Sequence, residues 1–219
     1  MADKKTRKKI ITGQKRAQIL KAAGEIFTRK GFEAATIPEI ARAARVAAGT
    51  IYLYFPNKRE LFIAMVKDTI ITAPLLNLIG KIPTGNFEDV FKNIILERFG
   101  LVKNQGETMA RMPRLIGEIQ RDPELKALWL KDFLQPFLAR MEMAYRMLNT
   151  SGKARRVKPA VVVRMIGGMI FGFMMLKMLE GEKSPLNKMS QEEIAGEIVN
   201  FVLHGLMNDT DKVKKEGKK

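Results

Sequence analysis

The sequence holds no cysteine, one histidine and one tryptophan among 219 residues. Without thiols there is no disulfide framework and no thiolate nucleophile, which fits a reducing compartment. His204 has no His-x-x-x-His partner, and no glycine-rich phosphate loop is present, so the usual seeds of a metal site, a nucleotide site or a catalytic base are missing. No metal, no cofactor and no catalysis are expected. Long hydrophobic runs are scarce too: the longest uncharged apolar stretch, 165–176, has 12 residues between Arg164 and Lys177. A membrane span needs about 20, so this stretch reads as a buried helix. Residues 1–30 lack the unbroken apolar segment of a secretory signal. Neither an Asn-Gly hairpin nor a sustained period-2 alternation occurs, which leaves an all-α architecture. Apolar residues instead recur at helical spacing throughout.

Acidic residues are the last deficit: 23 Asp and Glu stand against 39 Lys and Arg, a net charge of +16. More than half of that excess lies in the first 60 residues, where 14 basic side chains meet 5 acidic ones. Such a concentration suits phosphate neutralisation and counterion release. Residues 36–58 show what the charge accompanies. Ile37, Ile40, Ala41 and Ala44 fall at i, i+3, i+4 and i+7, one apolar helix face. Thr36 with Glu39 has the spacing of a capping box, and Asn57 with Glu60 repeats it. Arg45-Val46 fits a turn between two short helices, and 47–55 fits about two helical turns. That is a helix-turn-helix whose second helix is sized for the major groove of duplex DNA.

From Gln14 to Phe62 the chain resembles the tetracycline-repressor (TetR) family of bacterial transcription regulators. The resemblance is carried by Ala23, Ile26-Phe27, Gly31-Phe32, Thr36, Ile40-Ala41, Val46, Gly49-Thr50, Ile51-Tyr52, Tyr54-Phe55 and Lys58-Arg59-Glu60-Leu61. It implies that Thr36, Tyr52, Tyr54 and Lys58 hold the phosphate backbone, for which hydroxyl, phenol and ammonium donors are suited. It also implies that Ala47, Ala48, Gly49 and Thr50 face base edges. These offer methyl contacts to thymine and one hydroxyl, a thin readout. Specificity would then lean on DNA shape, on a basic arm reaching a minor groove, or on Arg45. Arg45 and Ala47 depart from the family pattern. A glycine commonly stands at the first, and a left-handed backbone there costs another residue roughly 1–2 kcal/mol. Ala47 replaces a hydroxyl-bearing helix cap, a loss of about 1 kcal/mol.

The expected organisation is a basic arm (1–13), a three-helix DNA-binding domain (14–60), a helical regulatory and dimerisation domain (61–208) and a basic disordered tail (209–219). The first helix, 14–30, puts Ile19, Ala23, Ile26 and Phe27 on one face, to pack against Ile40, Ala41 and Phe55, and Gly31 suits its stop. A fourth helix from Leu61 runs toward Pro74. Further helices are expected at 86–104, 108–121, 123–149, 159–180 and 191–208, with Pro136 kinking or splitting the third of these.

By resemblance, the last two helices pair with a second copy. Gly168 and Gly172 would allow close approach, with Ile194, Ile198, Phe201, Val202 and Gly205 as the partner stripe. Burial in the chain's own core is the competing use of those residues. A small lipophilic effector would lie among the middle helices, lined by Phe99, Met109, Met112, Ile116, Phe133, Phe137, Met141, Met169, Phe173 and Met174. Methionine suits adaptable apolar binding, though such residues at helical spacing also serve as plain core. The resulting expectation is a cytoplasmic, nucleoid-associated homodimeric repressor, with double-stranded DNA and an effector as partners and no membrane. The alternative is a basic amphipathic protein bound to a membrane surface.

Overall fold

The computed structural model describes residues 2–70, 73–82, 86–104, 112–152 and 154–206, and every regular element among them is helical. They are α1 (Ala2–Lys30), α2 (Ile37–Ala43), α3 (Ala48–Tyr52), α4 (Lys58–Ile70), α5 (Ala73–Lys81), α6 (Phe87–Asn104), α7 (Met112–Arg121), α8 (Pro123–Trp129), α9 (Gln135–Thr150), α10 (Pro159–Glu180) and α11 (Gln191–Leu206). The tail at 209–219 and Met109 lie outside the described residues, as does the side chain of Met112. The chain forms two compact units. One joins Met1–Thr72 to Glu107–Leu134, and the other joins Ala73–Gly106 to Gln135–Lys219.

In the first unit, α1 packs on α2 and α4, and α4 packs on α8. Ile19, Ala23, Ile26 and Phe27 of α1 are buried with Ile40, Ala41, Ile51, Phe55, Leu61 and Phe62. Phe27, Phe32 and Phe62 form an aromatic knot, with Phe62 edge-on to Phe27 at a centroid distance of 5.0 Å. Leu115, Ile119 and Leu125 of α7 and α8 are fully buried here as well. The first unit therefore draws on two separated stretches of sequence.

Two elements differ from the sequence expectation, and a third shows the break expected at Pro136. The arm is helical, because α1 starts at Ala2 rather than near residue 14. Lys and Arg are good helix formers, and Gly13 costs a helix only about 1 kcal/mol. The helix at Ala73–Lys81 is an addition; Pro74 sits in its first turn, where its missing N–H is harmless. The 123–149 pattern is interrupted by a π turn at Leu130–Leu134, immediately before α9. Pro136 accounts for it: its ring clashes with the carbonyl four residues back and it donates no bond there, and the widened turn relieves both.

The second unit buries Phe91, Ile95 and Phe99 of α6 against Ala195, Val199 and Val202 of α11, with Tyr145 and Leu148 of α9. Ser190 caps α11: Glu193 N–H donates to its Oγ at 3.1 Å, and its own N–H donates to the Glu193 carboxylate at 2.6 Å. The largest departure is α10. Among the described residues, Val162 is its one side chain in the buried core, while Ile166, Met169, Ile170 and Phe173 pack partly against that core. Val161, Met165, Phe171, Leu176 and Leu179 stay exposed. Its Pro159–Lys177 stretch is long and apolar enough to cross a membrane. The expectation of a buried helix at 165–176 fails for a physical reason: an apolar run reveals that a face wants cover, not what covers it.

Candidate nucleic-acid interface

The helix-turn-helix is built from two capping arrangements and one strained residue. Thr36 opens α2, accepting the Glu39 N–H at 3.4 Å, while the Glu39 carboxylate accepts the Thr36 N–H at 3.2 Å and its hydroxyl at 3.0 Å. Lys30 also pairs with that carboxylate. The hydrogen bond from Lys30, then that from the Thr36 hydroxyl, hold Glu39 below the usual carboxylate range. The N-terminus of α2 is thereby satisfied largely from within, and Pro38 offers no N–H there.

At the other end, α2 closes in a Schellman turn. Val46 N–H donates to the Ala41 carbonyl at 3.0 Å and Arg45 N–H to that of Arg42 at 3.1 Å. Arg45 occupies the left-handed position of that turn, φ +52°, the one non-glycine residue with positive φ among those described. The conformation its family position requires is therefore present, and with it the cost of roughly 1–2 kcal/mol. Gln18 of α1 steadies the turn by donating to the Ala44 carbonyl at 2.7 Å.

Helix α3 is shorter than 47–55, and Ala47 begins it without a side-chain cap. What holds it is apolar: Ile51 and Phe55 are buried beneath it. Phe55 in turn lies under the Arg16 guanidinium, 5.4 Å from ring centroid to Cζ. With that side anchored, Ala47, Gly49 and Tyr52 are exposed, and Ala48, Thr50 and Tyr54 are half-buried. Tyr52 and Tyr54 thus do face differently, as their i, i+2 spacing requires.

Lys58 has a second occupation. Its ammonium donates to the carbonyls of Glu33 and Ala35, both at 3.2 Å, and lies 4.5 Å above the Phe32 ring. It ties the start of α4 to the segment before α2, leaving one of three donor directions for a phosphate.

Sequence reasoning missed several contributors. Leu53, between the two tyrosines, is 84% exposed. It lies off the Ile51–Phe55 stripe, and that register alone could have revealed it. Arg16 and Gln18 gave no local signal. Nor did Glu118, whose carboxylate accepts the Phe32 N–H from 86 residues away, or Arg59, paired with Asp122 at 3.0 Å and Glu124 at 3.1 Å. Gly31, at φ +85°, holds a backbone that favours glycine, and a Cβ there would also push aside the Glu118 carboxylate, 2.6 Å away.

The other expected site residues divide between the units. Phe99 is buried against Phe173, at a centroid distance of 5.9 Å, and Phe137, Met141 and Met169 pack partly buried on the same core. Met174 is half-buried in the second unit. Ile116 and Phe133 belong to the first unit, where the Phe133 ring lies tilted against Trp129 at a centroid distance of 4.1 Å. Of the expected pairing residues, Ile194 and Val202 are buried in the unit's own core, and Ile198 is packed partly against it. Gly168, Gly205 and Phe201 are exposed and Gly172 is half-buried.

Among the described residues, an exposed short helix presented from a capped, core-anchored turn is the arrangement of a helix-turn-helix DNA-binding domain. Residues 19–65 match the model of the bacterial regulatory proteins, tetR family. The match covers the N-terminal region that holds the helix-turn-helix. Over 51 residues it is 43% identical to the fatty acid metabolism regulator protein of Bacillus subtilis (strain 168), covering 23% of this chain and 26% of that one. It spans about a quarter of the length of the curated relatives it first matches. The fold is shared more widely. The transcriptional regulator FadR of Bacillus subtilis, solved in complex with stearoyl-CoA, superposes with a TM-score of 0.67 over 86% of this chain and 98% of its own, at 19% identity. SmeT, the repressor of a multidrug efflux pump of Stenotrophomonas maltophilia, solved with triclosan, gives 0.63 over 90% and 93%, at 20% identity.

Proposed function

We propose that this protein is a ligand-responsive, sequence-specific transcriptional repressor that binds a pseudo-palindromic operator as a homodimer in the cytoplasm. The observation that carries the reading is the way α3 is presented: anchored by Ile51 and Phe55 on one side, with Ala47, Gly49 and Tyr52 exposed on the other. In this reading Ala47, Ala48, Gly49 and Thr50 approach base edges, close enough for methyl contacts because none is large. Thr36, Tyr52, Tyr54 and the remaining Lys58 donor hold phosphates. Arg45 supplies the long side chain that the recognition helix lacks.

Two-fold operators call for two-fold proteins. The exposed apolar face of α10, with Gly168 and Gly172 on that helix and Phe201 and Gly205 on α11, supports a second copy as the partner. The effector reading rests on the aromatic and methionine cluster of the second unit, around Phe99, Phe137, Met141, Met169 and Phe173. An apolar-tailed molecule suits that lining. Stearoyl-CoA in one related fold is of this kind, and triclosan in another is a small lipophilic molecule. An effector that favours a DNA-incompetent arrangement releases the operator by population shift.

The test is selection from a random duplex library at about 150 mM salt, with Tyr52→Ala as control. An enriched inverted repeat, lost in the control, supports the proposal; no enrichment contradicts it. One observation favours a second reading, a membrane-surface protein: the apolar Pro159–Lys177 stretch on a basic chain. Vesicle binding that persists in a variant unable to bind DNA would select that reading.

A further inference from the structure

The basic N-terminal segment continues α1 without a break, so its residues share one helical register. At about 100° per residue, Lys4, Lys5, Lys8, Lys9, Lys15 and Arg16 fall within one arc of about 140°. Asp3, the single acid before Glu25, falls on the opposite side. Farther along the helix the same arc carries Ile19, Ala23, Ile26 and Phe27, the residues buried in the first unit's core, where α1 packs on α2 and α4. The face that meets the helix-turn-helix in the second half of α1 therefore becomes a basic stripe in the first half. The crossover is visible in the side chains: Arg16 lies over Phe55, just past α3, and Gln18 reaches the Ala44 carbonyl in the turn before it. From Lys4 to Arg16 the stripe runs about 18 Å.

We propose that this stripe is a phosphate track, bound to the duplex backbone beside the half-site that α3 reads. The inference rests on the DNA-binding reading above. Its occupant follows from charge complementarity and shape. A helix with side chains is about 10–12 Å across, and the minor groove of duplex DNA is about 6 Å wide. A helical arm therefore does not enter the minor groove to read bases, in contrast to the minor-groove role that an extended arm could play. Its contribution is counterion release, equal on any sequence.

The measurement is the dependence of duplex affinity on salt, for the wild type, a Lys4→Gln, Lys5→Gln, Lys8→Gln, Lys9→Gln variant, and Ile10→Pro. The last keeps every charge but uncouples residues 2–9 from the helix. Each is titrated against the selected duplex and a random one. The slope of log affinity against log salt is expected to flatten by about 0.9 for each phosphate no longer neutralised, hence by up to about 4 in the lysine variant. The flattening should be equal on both duplexes, so that the ratio of affinities between them stays within about twofold. Ile10→Pro should show most of the same flattening. An unchanged slope in the lysine variant overturns the track. Weakening confined to the selected duplex overturns it in favour of base reading. Wild-type behaviour of Ile10→Pro overturns the helical register in favour of an extended polycation. Failure of the underlying reading looks different: the wild type then prefers no sequence, whatever the arm does, and a wild type that binds no duplex overturns both.

Discussion

The two compact units finish their surfaces in opposite ways. In the first, Ile19, Leu20, Ile26 and Phe27 of α1, Ile37 and Ile40 of α2 and Leu61 to Ile63, Met65 and Val66 of α4 are buried, and what remains outside α3 is small or phenolic, with Leu53 as the exception. In the second, α10 and α11 leave whole apolar side chains in solvent: Leu179 is 77% exposed and Phe201 76%. A completed surface bearing excess positive charge is suited to a hydrated polyanion, whose contacts are polar and salt-sensitive. An uncompleted apolar surface is suited to another protein surface, since patches of that kind on one chain mark interaction sites. Each unit thus announces a different partner, and the proposed function joins the two.

The comparison can be broken most severely at the open surface. Replacing both Leu179 and Phe201 by Glu should convert a dimer to a monomer in sedimentation while leaving the helical circular dichroism intact, because both side chains are exposed in the single chain. Operator affinity should fall at least about 100-fold, since the two half-sites no longer bind as one. Unfolding of that variant would mean that the residues serve the monomer's own core.

The closed surface predicts the reverse pattern. Ile51→Ala empties a fully buried position beneath α3. It should cost about 2–4 kcal/mol in urea unfolding and abolish DNA binding with it. Tyr52→Ala should weaken operator binding roughly 10–100-fold while stability changes by less than about 0.5 kcal/mol, the signature of an exposed contact residue. Arg45→Gly sharpens the contrast further. Relief of the positive φ should stabilise the protein by about 1 kcal/mol, yet weaken DNA binding if the guanidinium touches the duplex. Stabilisation with unchanged binding would remove Arg45 from the interface.

The smallest effect concerns pH. Glu39 is held below the usual carboxylate range, first by the Lys30 hydrogen bond and then by Thr36. A depressed carboxyl contributes stability that is present above its unfolded value and lost as pH falls through the lower folded one. Protection factors for amide exchange at Thr36 and Glu39, corrected for the intrinsic pH dependence of exchange, should therefore fall on acidification through the carboxylate range, and Glu39→Gln should flatten that dependence.

What could be read from the sequence follows the range of the interaction. The capping boxes at Thr36 and Ser190 and the stripe of Ile37, Ile40 and Ala41 are local, and they place α2 and α11 correctly. The left-handed turn at Arg45 is legible because a family resemblance supplies the expected glycine. Contacts between distant residues are not legible. Glu118 with Phe32 and Arg59 with Asp122 lie 86 and 63 residues apart, and no pattern along the chain pairs them. The apolar run of α10 is visible but its burial is not, since periodicity measures a face and not its cover. Lys58 shows the same limit in reverse: the donor is legible, but not the two carbonyls that already engage it.

The proposal that joins a DNA-binding unit to a self-pairing one is tested most directly by weighing the complex. Native mass spectrometry of the wild type, alone and on the selected inverted repeat, gives both stoichiometries in one experiment. The account predicts two chains free in solution and two, or an even multiple, on the full repeat, with a half-site bound far more weakly. A free monomer that loads single half-sites independently, one chain at a time, would contradict it.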